Sequence, residues 1–96
     1  MREYELIYII DPDLEEEAVV ATIDRFTQLA TGQGAEVVNV ERWEKRKLAY
    51  EIKDKREGTY VVMELRAQPA AIAEVERVLK LSEAVLRHMT IRKDGK

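Results

Sequence analysis

The chain has no cysteine, and its 96 residues include one histidine, one serine, one tryptophan and one phenylalanine. Without cysteine there is no disulfide framework, no thiolate zinc site and no cysteine nucleophile, and a reducing compartment fits. A single His88 and a single Ser82 leave little for a histidine metal site or a Ser–His relay. Four glycines and two prolines are too few for a collagen-like or low-complexity chain, and 46% hydrophobic residues are too many for wholesale disorder. Apolar runs last only a few residues, far short of the ~20 that a membrane-spanning helix needs. Met1-Arg2-Glu3-Tyr4-Glu5 enters a strand-like pattern directly and does not read as a signal peptide, so a cytosolic protein is expected. The length suits one domain, residues 1–96, around one core.

What is present is charge, 36% of the residues, and it is segregated. The formal net charge is −3. Residues 1–41 carry two bases against ten acids. Residues 42–56 reverse this with seven bases (Arg42, Lys45, Arg46, Lys47, Lys53, Lys55 and Arg56) against three acids. Residues 57–86 are mildly acidic, and residues 87–96 carry four bases against Asp94. A weakly acidic protein therefore has two basic stretches, which say more about partners than the total does.

Hydrophobic periodicity supplies the elements. Residues 4–10, Tyr-Glu-Leu-Ile-Tyr-Ile-Ile, read as a central strand that ends at Asp11-Pro12. Asp13 reads as a helix N-cap with Glu16 at the capping-box position, and Glu15, Glu16 and Glu17 suit the positive end of a helix dipole. Val19, Ile23, Phe26 and Ala30 form one helical stripe, closed by Gly32 and Gly34. From Ala35 the period becomes two, with Val38, Val40, Leu48, Tyr50 and Ile52 on one parity. This predicts a long strand bent or bulged near Trp43-Glu44. A polar turn over 53–58 leads to a strand over 59–66, with Val61, Met63 and Leu65 on one face. Pro69 suits the first turn of a second helix carrying Ile72, Val75 and Leu79, broken at Ser82. A last strand covers 85–92 with Val85, Met89 and Ile91 on one side, and residues 93–96 read as a frayed tail.

The order β-α-β-β-α-β, with right-handed crossovers, predicts an α+β ferredoxin-like sandwich: a four-stranded antiparallel sheet with two helices on one face. The other face is a natural binding surface. The strand after Gly34 is an edge, which predicts partner contacts along it near Trp43. Such a fold hosts enzymes, regulators and RNA binders alike. Asp11-Pro12-Asp13-Leu14 would repel phosphate where an acylphosphatase needs a cradle, and no lysine follows the glycines as in a P-loop. His88 has no nucleophile near it in sequence and reads as a packed or surface residue. Arg56-Glu57-Gly58-Thr59-Tyr60 offers a glycine and one aromatic, short of the stacking signature of an RNA-recognition motif. What remains is Arg42-Trp43-Glu44-Lys45-Arg46-Lys47 with Arg87, Arg92 and Lys93. Arginines beside an amphipathic ring suit phosphates, bases and protein interfaces. These residues leave two readings: an RNA- or protein-binding module, or a regulatory domain that binds a small ligand or dimerises sheet to sheet.

Three segments narrow the choice. The opening Met1–Glu5, the run Trp43-Glu44-Lys45-Arg46-Lys47-Leu48-Ala49-Tyr50-Glu51-Ile52 and the ending Val85-Leu86-Arg87-His88-Met89-Thr90-Ile91-Arg92 resemble the family of the sixth protein of the bacterial small ribosomal subunit. Glu44 stands where that family usually has glycine, and Glu51 where it commonly has proline. The resemblance covers nearly the whole chain. It implies a non-catalytic, cofactor-free structural protein that binds 16S ribosomal RNA together with a small basic partner, the eighteenth protein of the subunit. Carried over by position, it implies RNA contacts at Arg2, Tyr4, Arg46, Lys47, Arg87 and Arg92, and partner contacts at Trp43 and Tyr50.

Overall fold

A computed structural model describes residues 1–93; the expected frayed tail falls, for 94–96, outside the described residues. Lys93 is not frayed, since its backbone N–H donates to the Glu3 carbonyl at 2.8 Å. The elements are β1 (Arg2–Ile10), α1 (Glu16–Gly32), β2 (Glu36–Ile52), β3 (Lys55–Ala67), α2 (Pro69–Leu81) and β4 (Val85–Arg92). The sheet order is β2-β3-β1-β4 with every pairing antiparallel, so β2 and β4 are the edges.

Alternation on β1 sets the two faces. Tyr4, Leu6, Tyr8 and Ile10 point to the helices and lie in one core with Phe26, Ala30, Met63, Leu65, Ile72, Val75 and Leu79. Burying each of the larger aliphatic or aromatic side chains contributes roughly 1.5–3 kcal/mol, before the entropy of ordering is subtracted. Phe26 is fully buried, with its ring edge-on to Tyr8 at 5.5 Å between centroids. The helix phase read from Val19, Phe26 and Ala30 therefore holds, with Ile23 partly buried beside them. Three threonines fit inside α1 because the hydroxyls of Thr22, Thr27 and Thr31 donate to carbonyls four residues back. The helix closes where Gly34 takes φ +87° and the Ala35 N–H donates to the Ala30 carbonyl at 3.0 Å, a Schellman arrangement.

Four sequence expectations change. Asp13 does not cap α1; Glu15 precedes the helix without a side-chain cap, and Asp13 sits in a turn where its N–H donates to Asp11 Oδ1 at 2.9 Å. The short loop takes the Asp13 carboxylate towards Lys55 instead. Val38 does not share a face with Val40. A register shift between Val37 and Asn39 puts Val37 and Val40 against the core and leaves Val38 61% exposed. Met89 is not in the core: the ladder shifts between Ile9 and Ile10, so Val85 packs inward while Met89 and Ile91 turn to the open face. Finally, β3 starts at Lys55, because the hairpin closes through two residues, Lys53 (φ 52°) and Asp54 (φ 66°). Both positive angles make this a type I′ turn, whose twist matches the flanking strands. The bend expected near Trp43-Glu44 is present as a register shift between Arg42 and Lys45, and Glu44 occupies it without a positive φ.

Candidate nucleic-acid and partner interface

Among the described residues, no helix covers the second sheet face. Register places Glu3, Glu5, Ile7 and Ile9 of β1 on it, with Tyr60, Val62, Glu64 and Arg66 of β3 and Arg87, Met89 and Ile91 of β4. Met89 and Ile91 are 49% and 41% exposed. A depression of about 240 Å³ lies over Ile7, Ile9, Tyr60, Arg87, His88 and Met89. The bulge in β2 turns Trp43 onto this face, where its ring stacks on Tyr60 at 6.1 Å and 19°. Trp43 Nε1–H donates to Glu41 at 2.8 Å, and the Arg46 guanidinium lies 4.5 Å from the Trp43 ring centroid. This Arg46–Trp43–Tyr60 stack fixes two otherwise floppy side chains on a β-edge.

The basic stretch divides by face. Arg42 makes a bidentate pair with Glu16, at 2.6 and 2.8 Å. Lys45 donates to the Pro12 carbonyl at 3.1 Å, and Lys55 pairs with Asp13 and reaches Asp11 at 3.7 Å. Three of the seven cations are thus turned to the loop before α1 and to the first residue of that helix. The hydrogen bonds from Lys55 and Arg42, then their charges, hold the Asp13 and Glu16 carboxyls below their ordinary pKa values. The same bonds raise Lys55 and Arg42. Arg56 pairs with Glu51 at 3.1 Å. Of the stretch, Arg46 faces the open sheet, while the exposed Lys47 and Lys53 lie along the hairpin.

The candidate RNA residues do not form one patch. Arg2 and Arg92 lie at one end of the sheet, on the helix side, by register with Ala67 and Tyr4. Arg46 and Arg87 lie on the open face at the other end, opposite Gly58 and Ile9, with Lys47 beyond them opposite Glu57. Seven residues of strand separate Arg2 from Ile9, roughly 23 Å. Tyr4 differs from the expectation: it is 8% exposed and its ring belongs to the core. Tyr50, 59% exposed, meets Arg87 rather than Trp43; the guanidinium lies 5.8 Å from its ring centroid and donates to its hydroxyl. Sequence reasoning did not single out Tyr60, although its place on the parity opposite Val61 and Met63 is the signal that would have found it.

Among the described residues, no three His, Asp or Glu side chains are gathered to hold a metal, and no helix is long and apolar enough to cross a membrane. The fold defines the class: a ferredoxin-like α+β sandwich whose two described helices lie on one side of the sheet. The comparisons with known proteins identify which one. The family described as ribosomal protein S6 matches residues 3–92. Small ribosomal subunit protein bS6 of Desulforudis audaxviator is 50% identical over 94 residues, 98% of this chain and all of that protein. The bS6 of Desulforamulus reducens is 49% identical over 92 residues, 96% of this chain and 97% of that one. The crystal structure of 30S ribosomal protein S6 from Thermotoga maritima superposes with a TM-score of 0.91 at 31% identity, covering 96% of this chain and 87% of that one. The C-terminal domain of the MgtC protein from Mycobacterium tuberculosis shares the fold alone, with a TM-score of 0.66 at 14% identity over 98% and 89% of the two chains. The chain belongs to the ribosomal protein S6 family: it is a structural protein of the small ribosomal subunit, not an enzyme.

Proposed function

We propose that this chain binds 16S ribosomal RNA as a heterodimer with a small basic protein, the eighteenth of the small subunit, which covers the open sheet face. The observation that carries this reading is the pairing of exposed apolar surface with unneutralised acid on that face. Met89, Ile91 and the Trp43–Tyr60 stack border the apolar part. Beside it, Glu5 and Glu64 stand directly opposite each other in the β1–β3 ladder, half-buried, and neither has an ion-pair partner among the described residues. Like charges in directly opposed positions are unfavourable. A cationic side chain from a basic protein relieves that repulsion while its apolar neighbours cover Met89 and Ile91.

The same pairing favours a partner on the face that holds Trp43 over one along the outer edge of β2, where three register shifts break the row of free backbone groups. The chain's own charge also argues for a heterodimer. RNA association is driven by counterion release from phosphates that cations neutralise. Net charge here is −3, and Arg42, Lys45, Lys55 and Arg56 already face acids or a carbonyl of this chain. Filter binding of a 16S rRNA fragment over a salt series, with the pure chain, the heterodimer, and a heterodimer carrying Arg46→Glu and Arg87→Glu, tests it. The heterodimer should bind tightly and the pure chain weakly, and the double reversal should lower both affinity and salt slope. Tight, salt-sensitive binding by the pure chain would show that the partner is not supplying the missing charge.

A further inference from the structure

One end of the molecule gathers positive charge from three distant parts of the sequence. Lys53 comes from the I′ turn, Lys80 from the last turn of α2, and Arg87 and His88 from β4. Together they line a depression of about 460 Å³ whose remaining walls, including Leu79 and Val85, are apolar. Among the described residues, none that lines it is acidic, in a chain with 19 acids. The depressions beside it on the hairpin mix signs: Lys47 and Arg56 sit with Glu51 and Glu57, and Arg42, Lys45 and Arg46 with Glu41 and Glu44. Lys53 is held here by its backbone at φ 52° and by its Nζ, 3.4 Å from the Val85 carbonyl. Three converging cations without a carboxylate repel one another until an anion sits among them. Arg87 joins the cleft to Tyr50, whose exposed ring it already overlies. An aromatic ring beside a cationic cleft of this volume suits a nucleotide better than a free anion, because a base can stack while the backbone phosphate is held.

We propose that this cleft is a further RNA contact, adjoining the open sheet face at Arg87, in which Lys53, Lys80 and Arg87 hold a backbone phosphate and Tyr50 takes a neighbouring base. His88 completes the wall. The proposal rests on the reading that the heterodimer binds ribosomal RNA, and adds to it two residues, Lys53 and Lys80, that no resemblance singles out. It also turns Tyr50 from a partner contact into an RNA contact.

The test is filter binding of the heterodimer to a 16S rRNA fragment between about 50 and 200 mM salt. Lys53→Gln with Lys80→Gln is compared with Arg25→Gln plus Arg77→Gln, which removes the same charge from the helix side. The slope of log affinity against log salt changes by about 0.9 for each phosphate released. The cleft pair should lower it by about 1 if both lysines serve one phosphate and about 2 if each serves its own. The helix-side pair should leave it unchanged. Lys80→Gln alone, at an exposed helix position, gives the same direction should the double variant fold poorly. An unchanged slope in the cleft variants, or an equal fall in the helix-side pair, overturns the cleft while leaving RNA binding standing. Absence of RNA binding by the unmutated heterodimer overturns the heterodimer reading and the cleft with it.

Discussion

Gly58 gives the most direct check on the packing that supports the open face. It lies in β3 opposite Arg46, and a Cβ built on it would come 2.2 Å from Ile9 Cγ2, 3.4 Å from the Ile10 carbonyl oxygen and 3.7 Å from Leu86 Cδ1. The first distance cannot exist, and Ile9 Cγ2 sits on the branched Cβ of a residue only 7% exposed, so it has little room to move. Gly58→Ala should therefore cost about 1–3 kcal/mol, the usual range for forced overpacking. A strand glycine is itself roughly 0.5–1 kcal/mol worse than alanine, so removing the obstacle should reverse the sign. In an Ile9→Ala background, which by itself costs about 2–4 kcal/mol, Gly58→Ala should become neutral or slightly stabilising. The expected coupling is about 2 kcal/mol, well above the few tenths seen between independent sites. Urea titration of the four proteins, with a common m-value, measures it. Strictly additive costs, or a Gly58→Ala protein as stable as the parent, would mean that the strands do not approach as described.

Other expectations follow from the same coordinates. Phe26→Ala should cost about 3–5 kcal/mol in urea titration, since the ring is fully buried against Tyr8. Tyr8→Phe should be neutral or stabilising by up to about 1 kcal/mol, because its buried hydroxyl finds no hydrogen-bond partner among the described residues and burial pushes its pKa up; a clear loss of stability would reveal a partner. Asp54→Gly should raise stability by a few tenths to about 1 kcal/mol, read as a higher thermal midpoint, because φ 66° suits glycine. The Asp13 and Glu16 carboxyls titrate below their unfolded values, so their contribution is present above the ordinary carboxylate range and fades as pH falls through about 4 and below. Asp13→Asn with Glu16→Gln should flatten the acid limb of a stability–pH curve and leave its upper limb unchanged.

Much of this fold is legible in residue spacing. The stripe Val19, Ile23, Phe26 and Ala30 sets the first helix, and Pro69 with Ser82 bounds the second at the observed Pro69–Leu81. The two misplaced strand residues share one cause. Counting parity assumes an unbroken ladder, and each bulge inserts a residue that moves every later side chain to the other face. That is why Val38, read on one face with Val40, and Met89, read on one side with Val85, are exposed. The hairpin beyond residue 53 escaped because both its faces are solvated, so no apolar alternation marks Lys55, Arg56 and Glu57 as strand. The site was half legible. Charge runs locate Arg46 and Arg87, but only the fold shows that Arg42, Lys45 and Lys55 turn to acids or a carbonyl of their own chain, or that Lys53 and Lys80 meet. Those encounters depend on the turn and the crossover, which no local pattern encodes.

The strand order has a consequence for how the protein is made. β1 is synthesised first yet is the inner strand with both neighbours supplied late: β3 ends at residue 67 and β4 at residue 92. During translation the apolar segment Tyr4 to Ile10 waits without either ladder partner, while α1 can form as soon as it emerges. A ribosome that stalls before residue 85 therefore releases a nascent chain that still presents one whole side of β1. Proteases and chaperones that survey unpaired strands can recognise such an incomplete product, whereas the finished protein hides that surface with its last eight-residue strand.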